Sequence, residues 1–227
     1  MWVNNIVGTV QDIKKAIEIV NKYPKAKLHV DAVQGICKVE PDFDLNNIDL
    51  FTFSSHKFYG PKGIGGLFYR NGIDLKKRLY GSSSQFSVKP GTFDLSLVCA
   101  TAKAFKKFYP TSNEHREHVK KIFMYVYDYI KSVDKFIINT PEDNISYYAL
   151  NISIPSVAGE TLVHHLEADE IYVSTGSACS SKLKKPEKTI YAMTKDELRA
   201  TTSIRLSFSH LTTFEQIDKV IESLKKL

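Results

Sequence analysis

The sequence predicts an α/β fold, with a mostly parallel sheet in the first half of the chain and a small α+β domain in the second. Apolar residues at helical spacing predict an amphipathic helix over residues 11–22, with Thr9 as its N-cap. Three short apolar runs follow, and such runs are typical of buried strands. They are residues 28–31, 48–53 and 66–69. Asp31 ends the first run and Ser54 directly follows the second, so both lie at the sheet edge where α/β proteins bind ligands.

The second half of the sequence changes to longer helices, which indicates a second unit. Residues 94–108 and 114–133 have apolar positions along one helical face. Further strands are predicted at 147–152, 171–174 and 203–208, and further helices at about 159–168 and 213–226. We therefore divide the chain into the remainder of a large domain, residues 1–110, and a small C-terminal domain, residues 111–227.

The composition excludes several classes of protein. The 227 residues are 43% hydrophobic, enough for a real core, and 31 basic against 25 acidic residues give a net charge of +6. The basic residues are spread along the chain, so no direct nucleic-acid binding is expected. Three cysteines without a CxxC motif favour a reducing cytoplasm, and the apolar runs are too short for a membrane span.

Asp31 ends the first predicted strand, and Gln34 follows three residues later. An unpaired carboxylate is costly to bury, so Asp31 should have a cationic or hydrogen-bonding partner, such as a protonated pyridine nitrogen. The alternative is a turn or N-cap residue. Gln34 could donate to an oxygen of the same ligand, and its alternative is a plain surface position.

A Ser-Ser-His-Lys segment, residues 54–57, directly follows the second predicted strand. Hydroxyl and imidazole groups such as those of Ser54 and His56 suit a phosphate, and an amine partly removed from water, such as that of Lys57, becomes nucleophilic. The glycine-rich residues 60–66 lack the GxxxxGK[ST] spacing of a phosphate loop and precede a strand. We interpret them as a turn that holds Lys57 in place.

A second reactive position lies in the C-terminal half. Cys179 stands among Ser, Gly and Ala in a loop, where a thiol can reach a substrate, whereas Cys37 and Cys99 have apolar neighbours and are predicted core residues. Arg205 lies in an apolar strand, where an arginine needs an anion. A clamp on an amino-acid carboxylate and an internal salt bridge both remain open.

No metal site is expected from the histidines. His115 and His118 share a helix face, and His164 and His165 are adjacent, but no cysteine or carboxylate completes a set at ligand spacing. We predict that all four lie on the surface.

Six segments together resemble the class V aminotransferase superfamily, of pyridoxal-phosphate fold type I, and within it the cysteine desulfurases. They are VNN, GTVQDI, HVDAVQ, SSHKFYGPKGIGGL, STGSACSS and SIRLSFS. The resemblance implies a partial fold-type-I large domain followed by the small domain. It also implies that the chain begins inside the large domain, without the family's N-terminal third.

The resemblance implies pyridoxal 5'-phosphate as the cofactor and assigns five residues to it. Lys57 would bind it covalently, Asp31 would pair with the pyridinium nitrogen, and Gln34 with the ring hydroxyl oxygen. Ser54 and His56 would hold the phosphate.

The resemblance also implies the reaction. Asn5 and Arg205 would hold the carboxylate of L-cysteine, and Cys179 would take its sulfur as a persulfide, which leaves L-alanine. A sulfur-acceptor protein would collect the sulfur for iron–sulfur clusters, tRNA thiolation or thiamine synthesis. Thr92 would reach the phosphate of the partner subunit's cofactor in a homodimer.

The sequence departs from the family pattern in two places, and two alternative functions remain open. The family stretch that reads roughly GGGxExGxRxGT is here residues 81–92, which have neither the acidic residue nor the arginine. His210 stands where the family commonly has Gly-Arg. Selenocysteine lyase is a close variant of the activity, and a non-catalytic binding or subunit module is the alternative from another class.

Overall fold

A computed structural model describes residues 1–176 and 186–227. The expected α/β class is confirmed, because helices and two small sheets alternate along the chain. The elements are α1 (Ile13–Val20), β1 (His29–Asp31), β2 (Leu50–Ser54), β3 (Gly65–Tyr69), α2 (Leu95–Phe108), α3 (Ser112–Lys131), β4 (Ile137–Ile138), β5 (Ala149–Ser153), α4 (Gly159–Ala168), α5 (Lys188–Thr194), α6 (Glu197–Thr201), β6 (Ser203–Ser207) and α7 (Phe214–Lys225).

The chain forms two compact units. The first contains Met1–Trp2 and Asp12–Ser112, and the second contains Val3–Gln11 and Asn113–Leu227. The short segment Val3–Gln11 therefore belongs to the unit formed mainly by the C-terminal half.

The first unit has a three-stranded sheet in the order β1-β2-β3. β1 and β2 are parallel, as expected, but β3 is antiparallel to β2, so the sheet of the described residues is mixed. The reason is the short connection from Ser55 to Ile64, because a parallel return needs a longer crossover, usually with a helix.

The helix predicted over residues 11–22 is the shorter α1, with Ile13 and Ile17 buried. Its N-cap is Asp12, whose side chain accepts from the backbone N–H of Lys15 at 2.8 Å. The prediction of Thr9 as the N-cap was wrong, because Thr9 forms an antiparallel bridge with Ile145.

The second unit has an antiparallel sheet in the order β4-β5-β6. Its core joins apolar residues of α3, α4 and α7 to those of β5 and β6, and every residue of β5 is buried. The capping box of Thr213 and Gln216 fixes the start of α7. This core is the main source of stability in the second unit.

Near the cysteine segment one predicted strand is absent, and two helices occur that were not predicted. Residues 171–174 form no strand, because only Ser174 pairs, with Arg205, and the Tyr172 side chain is 80% exposed. The short helices α5 and α6 were not predicted, although Glu187 and Asp196 provide N-caps for them. Among the residues that the structure describes, no helix is both long and apolar enough to cross a membrane.

Candidate functional site

The carboxyl ends of β1 and β2 lie at the same edge of the first sheet, because the two strands are parallel with Asp31 opposite Thr52. Asp31 is half-buried, and its Oδ1 accepts from the backbone N–H of Val33 at 3.0 Å. Its other carboxylate oxygen has no hydrogen-bond partner within residues 1–176 and 186–227. A half-satisfied carboxylate at this edge suits a cationic ligand group.

Lys57 lies in the 3-10 turn Ser55–Phe58, directly after β2. Backbone hydrogen bonds hold this turn at both ends, from Ser55 N to Ile64 O at 3.1 Å and from Gly60 N to Ser55 O at 3.0 Å. The buried Ser55 hydroxyl lies 3.0 Å from the Thr101 hydroxyl of α2. The half-buried Lys57 side chain therefore starts from a well-supported backbone.

Two further features fix the Lys57 turn. Phe58 is only 1% exposed, and its ring centroid lies 6.0 Å from those of both Phe53 and Phe105. At Gly60, an added Cβ would lie 2.0 Å from Ser55 Oγ, which is far too close. The glycine-rich segment thus packs against the turn, in line with the interpretation drawn from the sequence.

Ser54 and His56 provide polar groups on either side of the buried Ser55. Ser54 Oγ lies 2.9 Å from His56 Nδ1, so one of the two donates to the other. Partial desolvation lowers the pKa of His56 below its ordinary 6.5, and the positive charges of Lys57, Lys62 and Lys38 lower the pKa further. Three cations near a neutral imidazole create a field that favours an anion.

Gln34 lies in a series of tight turns that follows β1. Its side-chain Oε1 accepts from Lys38 Nζ at 3.0 Å. Cys37 has left-handed backbone conformation with φ of 59°, and burial raises the pKa of its thiol to about 11, with Lys38 opposing the rise. Cys37 is thus a protonated, half-buried residue, whereas Cys99, a predicted core residue, is exposed on α2.

Thr92 follows a closed loop in the segment that departs from the family pattern. Ser84 Oγ donates to Gly91 O at 2.7 Å, and Gly91 N donates to Ser82 Oγ at 3.2 Å. Thr92 itself is exposed. No hydrogen bond among the described residues links it to the Lys57 turn.

The second unit brings the two predicted substrate-binding residues together. Arg205 Nη1 donates to the backbone carbonyl oxygen of Asn5 at 2.8 Å, and its Nε donates to Ser207 Oγ at 3.1 Å. Its Nη2 has no partner within the described ranges. Burial lowers the pKa of Arg205, and the charge of Glu187 partly offsets this effect. A half-buried guanidinium with free donors suits a carboxylate.

The position of Asn5 depends on its neighbour Asn4. The Asn4 side-chain oxygen accepts from the backbone N–H groups of Ile6 at 2.8 Å and Val7 at 3.1 Å. Gly8 N donates to Asn4 O at 3.1 Å, and Gly8 has a left-handed φ of 74°. This turn presents the Asn5 carbonyl oxygen to Arg205.

Cys179 lies outside the described residues, but its flanks are placed. Ser174 pairs with Arg205 through Arg205 N to Ser174 O at 2.7 Å. On the other flank, Glu187 N donates to Ala200 O at 3.1 Å, and its side chain accepts from Ile190 N at 2.9 Å. An added Cβ on Gly176 would lie 3.2 Å from Glu187 Cγ, so both flanks lie close together.

The histidines contact protein groups rather than a metal-ligand set. His118 and His165 each lie within 3.1 Å of a backbone carbonyl oxygen. Of the four histidines predicted on the surface, His164 is exposed, whereas His115, His118 and His165 are partly buried. His115 stacks on His210 at 4.2 Å between ring centroids. No cluster of three or more His, Cys, Asp or Glu side chains is placed for a metal in the parts of the chain that the structure describes.

Sequence reasoning missed four residues that support this site. Ser55 and Thr101 hold the Lys57 turn, but nothing in the sequence pairs a turn serine with a helix residue so far along the chain. Lys38 stands four residues after Gln34, a spacing at which side chains can meet. Glu187 caps a short helix, but glutamate is not among the residues that N-caps prefer, so the sequence held no clear signal for this contact.

Known proteins match the chain over almost its whole length. The family model described as aminotransferase class-V matches residues 1–220. A NifS/IcsS protein homolog of Lactobacillus delbrueckii subsp. bulgaricus is 34% identical over 229 residues, which cover 100% of this chain and 60% of that protein. The cysteine desulfurase IscS of Acinetobacter baumannii is 35% identical over 228 residues, 99% of this chain and 55% of that protein.

Solved structures also align with almost the whole chain. A NifS-like protein aligns with a TM-score of 0.88 and 30% identity, over 100% of this chain and 60% of that protein. SspA in complex with cysteine aligns with a TM-score of 0.73 and 25% identity, over 93% and 58% of the two chains. The chain thus spans only about 55–60% of the length of these relatives.

Proposed function

The chain belongs to the class V aminotransferase family, and on that basis we propose that it supplies the cofactor lysine, Lys57, and the sulfur-accepting cysteine, Cys179, of a cysteine desulfurase. The family and these relatives are pyridoxal-phosphate-dependent enzymes. The single observation that carries the proposal is the firmly held Lys57 turn, which directly follows β2 at the sheet edge where β1 ends in Asp31.

The residues of the first unit fit pyridoxal phosphate. The Ser54 hydroxyl and the His56 ring, in a field of lysine charges, suit a phosphate dianion. The free carboxylate oxygen of Asp31 suits a protonated pyridine nitrogen, and the Gln34 amide can donate to the ring hydroxyl oxygen. Lys57 lies on the same turn as His56, where its amine would hold the group covalently.

When bound, pyridoxal phosphate withdraws the electrons that remain after loss of a proton from the amino-acid Cα. Lys57 would take that proton and return one to the carbon fragment. In the second unit, Arg205 would bind the substrate carboxylate, with the guanidinium held by Asn5 and Ser207. We propose Asn5 as a further carboxylate contact.

Cys179 would perform the sulfur transfer as a thiolate. Its sulfur attacks the thiol sulfur of L-cysteine, so that a sulfur–sulfur bond forms while the substrate Cβ–S bond breaks. The carbon fragment takes the electron pair and a proton and leaves as L-alanine. The carbon is reduced while the two sulfurs become a persulfide, so no external reductant is needed.

The acceptor and the assembly complete the proposal. The persulfide would pass to a sulfur-acceptor protein of iron–sulfur cluster, tRNA thiolation or thiamine synthesis. The protein would act in the cytoplasm as a homodimer in which Thr92 approaches the partner subunit's cofactor. The similarity to SspA, whose structure was solved in complex with cysteine, supports L-cysteine as the substrate class.

A non-catalytic module is the second candidate function. The observation that favours it is the segment of residues 81–92, which has neither the acidic residue nor the arginine of the family pattern. Such a module would bind a partner or subunit without releasing sulfur from L-cysteine.

Product analysis separates the two candidates. The purified chain with pyridoxal phosphate and L-cysteine should give equal amounts of alanine and, with a thiol reductant, sulfide. The Cys179→Ser variant should give no sulfide, whereas the matched Cys99→Ser variant should match the parent. Sulfide release by Cys179→Ser at the parental rate would show that the nucleophile is another group.

A further inference from the structure

Lys38 and Gln34 are held in contact by the turns that follow β1. Gly35 N donates to Ala32 O at 2.9 Å, and Lys38 N donates to Gly35 O at 3.0 Å. An added Cβ on Gly35 would lie 2.2 Å from the Trp2 ring, so the turn packs tightly against a buried tryptophan. The backbone that carries Gln34 and Lys38 is thus fixed, and their side chains are joined by a 3.0 Å hydrogen bond from Lys38 Nζ to Gln34 Oε1.

This hydrogen bond determines which end of the Gln34 amide is available. A lysine ammonium group can only donate, so the group it contacts must be the amide oxygen. The oxygen and the NH₂ group lie on opposite sides of the amide carbon. With Oε1 bound to Lys38, the NH₂ group remains as the donor for a second partner.

We propose that Lys38 is a positioning residue that orients the Gln34 amide so that its NH₂ group faces the ring oxygen of the cofactor. The inference rests on the proposed function, because it requires pyridoxal phosphate in the first unit. Without Lys38, the amide can rotate and present its oxygen to another oxygen, which is repulsive. Lys38 itself needs no contact with the cofactor for this effect.

The charge of Lys38 has to be separated from its hydrogen bond. Lys38 and Lys62 both lie in the electrostatic surroundings of His56, and both act on it as cations. Only Lys38 donates to Gln34 among the contacts of the described residues. Lys62→Met is therefore a matched control that removes one positive charge and keeps the Gln34 contact.

The test measures the dissociation constant of pyridoxal phosphate by absorbance titration. Loss of one oriented hydrogen bond should weaken binding about tenfold in Lys38→Met. Lys38→Arg should restore most of the affinity, and Lys62→Met should cost clearly less than Lys38→Met. In a Gln34→Ala protein, Lys38→Met and Lys62→Met should reduce the affinity for pyridoxal phosphate equally. Lys38 acts through Gln34, so only the loss of its charge remains in that background.

Two results would overturn the proposal. Equal losses in Lys38→Met and Lys62→Met, or an undiminished loss from Lys38→Met in the Gln34→Ala background, would mean that Lys38 acts only through its charge. If the parent binds no pyridoxal phosphate, the proposed function fails first. The Gln34 Cδ chemical shift then decides, since Lys38→Met should change it and Lys38→Arg restore it, and an unchanged shift would refute the orienting contact.

Discussion

Arg205 Nη1 donates to the backbone carbonyl oxygen of Asn5 over 2.8 Å and thereby joins two residues from opposite ends of the sequence. Both were assigned to the substrate carboxylate from a sequence resemblance, and the structure places them side by side in the second unit. The contact uses the main chain of Asn5, so it orients the guanidinium whatever the Asn5 side chain does.

Arg205→Lys should therefore weaken carboxylate binding more than it weakens the fold. Lysine lacks the planar fork that reaches Asn5 and a carboxylate together, so KM for L-cysteine should rise roughly 10- to 100-fold. Arg199→Lys is a matched control, because the Arg199 guanidinium donates to Asn139 and to Ile138 O. That variant should lose stability with KM unchanged, and an equal rise in KM for both would contradict the assignment.

His56 should titrate below its ordinary pKa of 6.5, because desolvation and the neighbouring lysines disfavour its protonated form. The unfolded chain then binds more protons than the folded chain between the two pKa values. The contribution of His56 to stability is present above pH 6.5 and is lost as the pH falls through that window.

An NMR titration of the His56 ring checks this direction. Lys57→Met should raise the His56 pKa by removing a nearby charge, while Lys14→Met, on α1 of the same unit, should leave it unchanged, because Lys14 is not among the charges that lower this pKa. A His56 pKa at or above 6.5 in the parent would contradict the claim that desolvation and the neighbouring lysines disfavour the protonated ring.

Cys37 should react slowly with iodoacetamide compared with Cys99. With a pKa of about 11, Cys37 is only about one-thousandth thiolate at pH 8, and it is half-buried, whereas Cys99 is exposed. Peptide mass spectrometry after timed alkylation measures both rates in one sample. Equal rates would show that the Cys37 thiol is more accessible or more acidic than its surroundings indicate.

Phe58→Ala should destabilise the first unit by about 3–5 kcal/mol, because it removes a buried ring beside Lys57. Phe86→Ala is the control, since that ring is 85% exposed and its loss should change stability by about 0.5 kcal/mol or less. Urea unfolding monitored by circular dichroism gives both values. Similar values for the two variants would mean that Phe58 does not anchor the Lys57 turn.

The sequence was most informative where a pattern is local. The helices α2, α3, α4 and α7 were all predicted, and the polar residues after β2 predicted a turn that the structure holds with buried Ser55 and Phe58. The sequence pattern failed to predict structure that depends on pairing with another strand. Ile171 and Val173 alternate as in a strand, but only Ser174 pairs with a neighbour.

Contacts between distant residues could not be predicted at all. Nothing local in the sequence joins Thr101 to Ser55, and no propensity indicates that the Asn5 carbonyl oxygen accepts from Arg205. Of the two N-caps, Asp196 was a readable signal and Glu187 was not, and helices as short as α5 and α6 have too few turns to show periodicity.

The most direct test of the central claim is a visible absorption spectrum of the purified chain with pyridoxal phosphate, before and after L-cysteine. We expect a yellow protein whose band disappears in Lys57→Ala, persists in Cys179→Ser, and shifts on addition of L-cysteine. A colourless parent protein, or a band unchanged by Lys57→Ala, would contradict the claim that Lys57 and its surroundings form a cofactor site.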